Sequence, residues 1–192
     1  DKVRAILSYG PRSGKLTARI LKVYGKAASA KVCADAIIDA NGIPKKFKKE
    51  TLREAEKLSR EPITPAERKK RADLREQLIF TIDGADAKDL DDAISVEKDG
   101  AGWKLGVHIA DVSHYVKEGS LVDEEAKQRG TSVYFADRVI PMLPEALSNG
   151  CCSLNAGEEK LAFSCFMTLD RKGNLRGYRF QKSVICSKVR GV

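Results

Sequence analysis

The sequence is poor in the residues that several common functions require. It has only two histidines, and no Ser-His-Asp or Cys-His spacing that would support nucleophilic acyl chemistry. No apolar stretch approaches the about 18 residues needed to span a bilayer, and no signal peptide is visible. The five cysteines form no CxxC pair and are odd in number, so neither a zinc knuckle nor a disulfide framework is indicated. Reduced thiols in the cytoplasm are therefore predicted, with no membrane partner.

Charge is plentiful but unevenly distributed. The chain carries a net charge of +8, and residues 1–80 hold 20 Lys and Arg against 10 Asp and Glu, a net of +10. Residues 81–192 hold 15 against 17, a net of −2. A basic part beside an acidic part suits a polyanion that is attracted by one region and cut in the other. The alternative, that the lysine-rich stretches are solvated helix faces, stays open for the N-terminal part.

The most informative feature is the segment Asp83–Asp92, DGADAKDLDD, with five aspartates in ten residues. Two carboxylates at 4 Å repel by about 1 kcal/mol in water and by about 4 kcal/mol at an effective dielectric of 20. Oxygen ligands without His or Cys favour Mg²⁺ or Mn²⁺, and this many carboxylates fit a paired-metal phosphodiester site. An EF-hand is excluded because Ala85 and Lys88 occupy the third and sixth positions. A solvated acidic loop remains the alternative.

The flanking residues predict strands around this acidic segment. Residues 78–83 and 92–97 have the composition of short strands, and residues 103–110 predict a third strand, which gives a meander. The aspartates would then lie where one strand ends and the next begins. His108 and Asp111, on and just after the third strand, are candidates to support the metal ligands. The alternative for His108 is an ordinary hydrogen-bonded structural residue.

Three phrases occur in order along most of the chain: TIDGADAKDLDDAISVE, then VHIADVSHYV, then RGTSVYFADRVIPMLPEALSNGCCSLN. From about residue 74 onward the sequence resembles the start of the RNB catalytic domain of the ribonuclease R and ribonuclease II family of exoribonucleases. The phrases resemble the ribonuclease R branch more than the ribonuclease II branch. Ala136 departs from the pattern, because the family has proline at that position.

The resemblance implies a metal-dependent hydrolase that degrades single-stranded RNA processively from the 3′ end to 5′-mononucleotides. It implies Mg²⁺ or Mn²⁺ as the cofactor, bound by four aspartates: Asp83, Asp89, Asp91 and Asp92. Asp91 is the candidate whose loss stops catalysis, and Asp86 has no assigned role. Tyr134 would stack on an RNA base, although the strand pattern alone favours a half-buried aromatic side chain.

The resemblance also predicts the domain organisation and the limits of activity. The expected fold class is α+β, a mixed sheet with flanking helices, preceded by strands of a partial OB-type cold-shock barrel. The predicted parts are 1–26, the end of the cold-shock domain; 27–76, a basic linker with two short helices; and 77–192, the N-terminal part of the RNB domain. Later catalytic residues of the family lie downstream, so we expect a fragment of a longer enzyme that is inactive alone. An RNA-binding module with the same fold but no catalysis is the alternative.

Local signals predict individual elements. Thr51 and Thr64 begin capping boxes, which predict helices over about 52–60 and 65–76. Ser120 and Gly130 bound a predicted helix over 121–129. The stretch between residues 9 and 15 predicts a basic hairpin turn and not a phosphate-binding loop, because its glycines are too closely spaced.

Overall fold

The computed structural model describes residues 1–10 and 14–191 and has the predicted α+β class, with a mixed sheet and flanking helices. The strands are β1 (Lys2–Tyr9), β2 (Leu16–Gly25), β3 (Ala72–Leu74), β4 (Phe80–Ile82), β5 (Asp92–Asp99), β6 (Gly102–Ala110), β7 (Val133–Tyr134), β8 (Val139–Ile140), β9 (Glu159–Leu169), β10 (Leu175–Cys186) and β11 (Val189–Gly191). The helices are α1 (Ala30–Ala40), α2 (Lys49–Arg60), α3 (Pro65–Lys69), α4 (Val112–Tyr115) and α5 (Leu121–Arg129), with a π-helical turn at Ala146–Cys151. None of the helices in the described residues has both the length and the apolar character needed to cross a membrane.

One compact unit consists of residues 1–47 and 128–142. Here β1 and β2 form an antiparallel pair, β7 pairs antiparallel with β8, and α1 buries Ala34 and Ile38. Helix α1 was not predicted from the sequence. Residues 11–13 of the predicted hairpin turn lie outside the described residues. The predicted domain limits at 26/27 and 76/77 stay predictions, since a compact unit defined by contacts need not coincide with a domain.

The second unit, residues 48–127 and 143–192, is built on a seven-stranded sheet in the order β11-β4-β5-β6-β9-β10-β3. The predicted meander is confirmed, because β4, β5 and β6 are antiparallel neighbours. At the two edges, β11 runs parallel to β4 and β3 runs parallel to β10. The sheet is therefore mixed, and the acidic segment lies at the connection between β4 and β5.

The core of this unit lies between the sheet, α2 and the π-helical turn. Ile79, Leu147, Leu154 and Leu161 are almost fully buried there. Burial of a Leu or Ile side chain contributes about 1.5–3 kcal/mol to the free energy of folding. These residues therefore stabilise the sheet unit that contains the acidic segment.

Two of the predicted helix ends are confirmed by their caps. The backbone N–H of Glu67 donates to Thr64 Oγ1 at 3.1 Å, with Pro65 in the first turn. The N–H of Asp123 donates to Ser120 Oγ at 3.2 Å at the start of α5. These local signals succeed because both partners lie within three residues of each other.

Two other helix predictions are wrong in their limits. Thr51 is not a cap, since α2 begins at Lys49 and Thr51 is buried inside it. The helix predicted over 65–76 ends at Lys69, because residues 72–74 form the edge strand β3. Pairing of β3 with β10 satisfies its backbone groups there, and this tertiary contact overrides helix propensity.

Candidate functional site

The acidic loop, residues 83–91, joins β4 to β5, and both of its ends are held by the sheet. The N–H of Asp83 donates to the carbonyl of Gly191 at 3.2 Å, which extends the pairing of β4 with β11. The carbonyl of Asp91 accepts from the N–H of Ala110 at 2.9 Å, and Asp92 begins β5. Asp83 therefore follows β4 directly, while Asp91 and Asp92 enter β5, so these three residues lie where one strand ends and the neighbouring strand begins.

Asp83, Asp91 and Asp92 interact electrostatically. Burial, and then repulsion from Asp91 and Asp83, raise the pKa of Asp92 above its ordinary value. Among the described residues, Asp83 Oδ2 is one of a few buried side-chain polar atoms that have no hydrogen-bond partner. An unsatisfied carboxylate oxygen beside two further carboxylates is an arrangement that a cation would stabilise.

The donor set fits a hard divalent cation, because it offers carboxylate oxygen alone. Within residues 1–10 and 14–191, however, no group of three or more His, Cys, Asp or Glu side chains has the arrangement of a ready-made metal site. Asp86 and Asp89 lie exposed on the loop between the two strand ends. The carboxylates are thus gathered along one loop without forming a complete coordination sphere, and their assignment as metal ligands stays a prediction.

Residues 153 and 154 form hydrogen bonds with the backbone in the middle of the acidic loop. Ser153 Oγ accepts from the N–H of Leu90 at 3.1 Å and lies 2.9 Å from the carbonyl of Lys88. The N–H of Leu154 donates to the carbonyl of Leu90 at 2.7 Å. The side chain of Leu90 is buried, so the loop is held in place between Asp89 and Asp91. Ser153 belongs to the CCSLN part of the third phrase quoted above, where no sequence pattern indicates its role.

His108 does not support the acidic loop; it lies in a buried chain of serine hydroxyls. Its Nε2 is 3.0 Å from Ser95 Oγ, and its Nδ1 is 2.7 Å from Ser164 Oγ. Burial lowers the pKa of His108 to about 4, so the ring is neutral near pH 7. A side chain at Gly106 would collide with this group, because a Cβ there would lie 2.4 Å from Ser95 Oγ. The alternative of a structural histidine is the correct one.

Asp111 also has a structural partner that the sequence analysis missed. Its Oδ2 lies 2.7 Å from Arg71 Nη2, and both side chains are almost fully buried. Burial raises the pKa of Asp111, but hydrogen bonds from Arg71 and Ser113 outweigh this and leave the pKa below its ordinary value. No local signal could identify Arg71, since it precedes Asp111 by 40 positions.

Tyr134 lies in the other compact unit, on β7 opposite Val139 of β8. Tyr134 is 65% exposed, so the half-buried alternative is wrong. After it, the N–H of Phe135 donates to the carbonyl of Arg138 at 2.8 Å. The turn that contains Ala136 is therefore closed by a hydrogen bond, although the resemblance predicts proline at that position.

The sequence matches the family model described as the RNB domain over residues 71–191, a range that contains the acidic loop and Ser153. Among curated proteins, the chain is 47% identical to ribonuclease R of Thermotoga maritima, covering 98% of this chain and 27% of that protein. It is 44% identical to ribonuclease R of Escherichia coli strain K12, covering 93% of this chain and 22% of that protein.

A solved structure, Mycoplasma genitalium RNase R in complex with ribose-methylated single-stranded RNA, matches with a TM-score of 0.82 and 32% identity. That match covers 95% of this chain and 28% of the other. The chain thus spans about a quarter of the length of the relatives that it matches.

Proposed function

The chain belongs to the RNB-domain family, and from that premise we propose that it carries the acidic, metal-binding part of a 3′-to-5′ exoribonuclease acting on single-stranded RNA. The observation that carries the proposal is the position of the RNB match. Residues 71–191 contain all the acidic positions of the loop, including the four aspartates that the resemblance assigns as metal ligands.

Four carboxylates are proposed to bind Mg²⁺ or Mn²⁺: Asp83, Asp89, Asp91 and Asp92. The unsatisfied Asp83 Oδ2 and the raised pKa of Asp92 support this proposal, since both describe negative charge that lacks compensation. When bound, such ions lower the pKa of a coordinated water and offset charge on a phosphodiester. The protein's contribution is to hold the carboxylates at the adjoining ends of β4 and β5 through the backbone bonds of Asp83 and Asp91.

Tyr134 is proposed to bind RNA by stacking on a base, because its ring is exposed on a short β-ribbon. Such stacking contributes about 1–3 kcal/mol per base and tolerates any sequence. The net charge of +10 in residues 1–80 would attract the RNA backbone.

Catalysis is best tested in a chimera in which this chain replaces the matching part of Thermotoga maritima ribonuclease R, since the chain covers about a quarter of such relatives. The proposal expects a 3′-labelled single-stranded RNA to release labelled mononucleotide in the presence of Mg²⁺. Asp91→Asn should abolish release while leaving RNA binding largely intact.

Asp86→Asn is the matched control, because it removes an exposed carboxylate from the same loop that has no assigned role. It should degrade RNA at close to the native rate. Equal product from the native and Asp91→Asn chimeras would refute the catalytic assignment and favour the alternative of an RNA-binding module.

A further inference from the structure

Ser153 makes an unusual set of contacts for a serine that is fully buried. Its hydroxyl accepts from the N–H of Leu90 at 3.1 Å and lies within donating distance of the carbonyl of Lys88, at 2.9 Å, and of Asn155 Oδ1, at 3.0 Å. One side chain therefore bonds the backbone on both sides of Asp89.

These contacts restrict where the Asp89 side chain can go. The peptide groups before and after Asp89 are both tied to one hydroxyl, and the side chain of Leu90 is buried. Asp89 is exposed between these two fixed points. Without the hydroxyl, a buried N–H and a carbonyl would lose their partner and the loop would have to move to reach others.

Ser153 and its neighbour Leu154 are themselves held by hydrogen bonds. The N–H of Ser153 donates to the carbonyl of Gly150 at 3.1 Å, at the end of the π-helical turn. On the other side, Ser187 Oγ donates to the carbonyl of Leu154 at 2.9 Å. Both Leu154 and Ser187 are buried, so Ser153 belongs to the core of the sheet unit and connects the loop to that core.

We propose that Ser153 is a positioning residue for the metal site, which acts by fixing the backbone on both sides of Asp89. It touches neither ion nor substrate. The inference rests on the proposed function, in which Asp89 is a ligand of a divalent cation. Groups that orient metal ligands from outside the coordination sphere typically change metal affinity about 10–100-fold when they are removed.

The test compares Ser153→Ala with Ser183→Ala. Ser183 is also fully buried and its hydroxyl lies 3.3 Å from a backbone carbonyl, that of Ala162, but it makes no described contact with the acidic loop. We expect similar decreases in melting temperature for the two variants without metal. Only Ser153→Ala should weaken Mn²⁺ binding, measured by titration calorimetry, by about 10–100-fold. In the chimera, the Mn²⁺ concentration for half-maximal activity should rise by the same factor.

Asp89→Asn separates the two possible failures. If the native chain does not bind Mn²⁺, or if Asp89→Asn binds it as tightly as the native chain, the proposed metal site is wrong and the role of Ser153 falls with it. If Asp89→Asn loses binding while Ser153→Ala and Ser183→Ala bind equally well, only the positioning role is refuted.

A measurement on the native protein covers the case in which Ser153→Ala does not fold. The amide of Leu90 should exchange slowly with solvent deuterium, because it donates to a buried hydroxyl. Exchange of this amide at the rate of an unprotected loop would overturn the proposal.

Discussion

The buried ion pair between Arg71 and Asp111 should be among the most sensitive sites in the molecule. Arg71 Nη2 lies 2.7 Å from Asp111 Oδ2, and the two side chains are 0% and 2% exposed. Arg71 Nε also donates to Glu67 Oε1 at 2.7 Å, and Ser113 Oγ donates to the second oxygen of Asp111 at 2.9 Å. Arg71→Met would keep much of the side-chain volume but leave the carboxylate of Asp111 buried without its main partner.

The expected cost follows from that uncompensated charge. Removing one member of a buried pair costs about 3–5 kcal/mol, and we expect Arg71→Met to lower the free energy of unfolding at pH 7 by that amount. Lys182 is the control. Its Nζ lies 3.6 Å from the same oxygen, but its side chain is 52% exposed, so Lys182→Met should cost no more than about 1 kcal/mol.

The loss of stability caused by Arg71→Met should depend on pH, because the substitution changes the pKa of Asp111. In the native protein the pKa of Asp111 lies below its ordinary value, so the carboxylate adds stability above the unfolded pKa and loses it as pH falls. In Arg71→Met the burial effect dominates, the pKa rises above the unfolded value, and stability falls as pH rises. The difference between the two proteins should therefore widen from pH 4 to pH 7.

Urea unfolding of both proteins across this pH range measures the difference. Adding Asp111→Asn to Arg71→Met removes the unpaired charge and should recover part of the lost stability at pH 7. A loss below about 1 kcal/mol for Arg71→Met, the level of an exposed pair, would refute the reasoning, as would a double variant with simply additive losses.

Three further predictions concern other parts of the chain. The pKa of His108 is about 4 in the folded chain and 6.5 in the unfolded chain. At about 1.4 kcal/mol per pKa unit, the free energy of unfolding should fall by about 3 kcal/mol as pH decreases from 7 to 4. Urea unfolding of His108→Gln should show a weaker dependence on pH. Mn²⁺ at 100 times its dissociation constant should stabilise the chain by about 2.7 kcal/mol, seen as a higher melting temperature; an unchanged melting temperature, or an equal increase in Asp83→Asn, would contradict the metal site. Tyr134→Ala should weaken binding of fluorescent single-stranded RNA by about 1–3 kcal/mol, whereas the equally exposed Tyr178→Ala should bind as the native chain does, and equal losses would argue against stacking by Tyr134.

Predictions succeeded where both partners of an interaction are close in sequence. The Thr64 and Ser120 caps, the stop at Gly130 and the β4-β5-β6 meander depend on contacts between neighbouring residues or adjacent strands. The location of the acidic loop at the connection between β4 and β5 follows from that meander. The helix predicted over 65–76 failed because its second half pairs with β10, more than 100 residues later.

The supporting residues of the site could not be predicted for the same reason. Ser153 follows Leu90 by 63 positions, and the serines that bond His108 lie on two different strands. A buried serine and a surface serine have the same one-letter code, so only the folded arrangement distinguishes the residue that orients a loop from one that merely faces solvent.

The amino-acid sequence alone determined the chemistry available to this protein: oxygen ligands concentrated on one loop, few histidines, and a basic N-terminal part. It determined the meander as well, because side-chain alternation and turn residues act over a few positions. The tertiary structure decided which polar groups are satisfied. It paired Arg71 with Asp111, enclosed His108 among serines and brought Ser153 into hydrogen-bond contact with the acidic loop. Burial makes each of these pairings necessary, since a polar group removed from water must find a partner wherever the fold brings one.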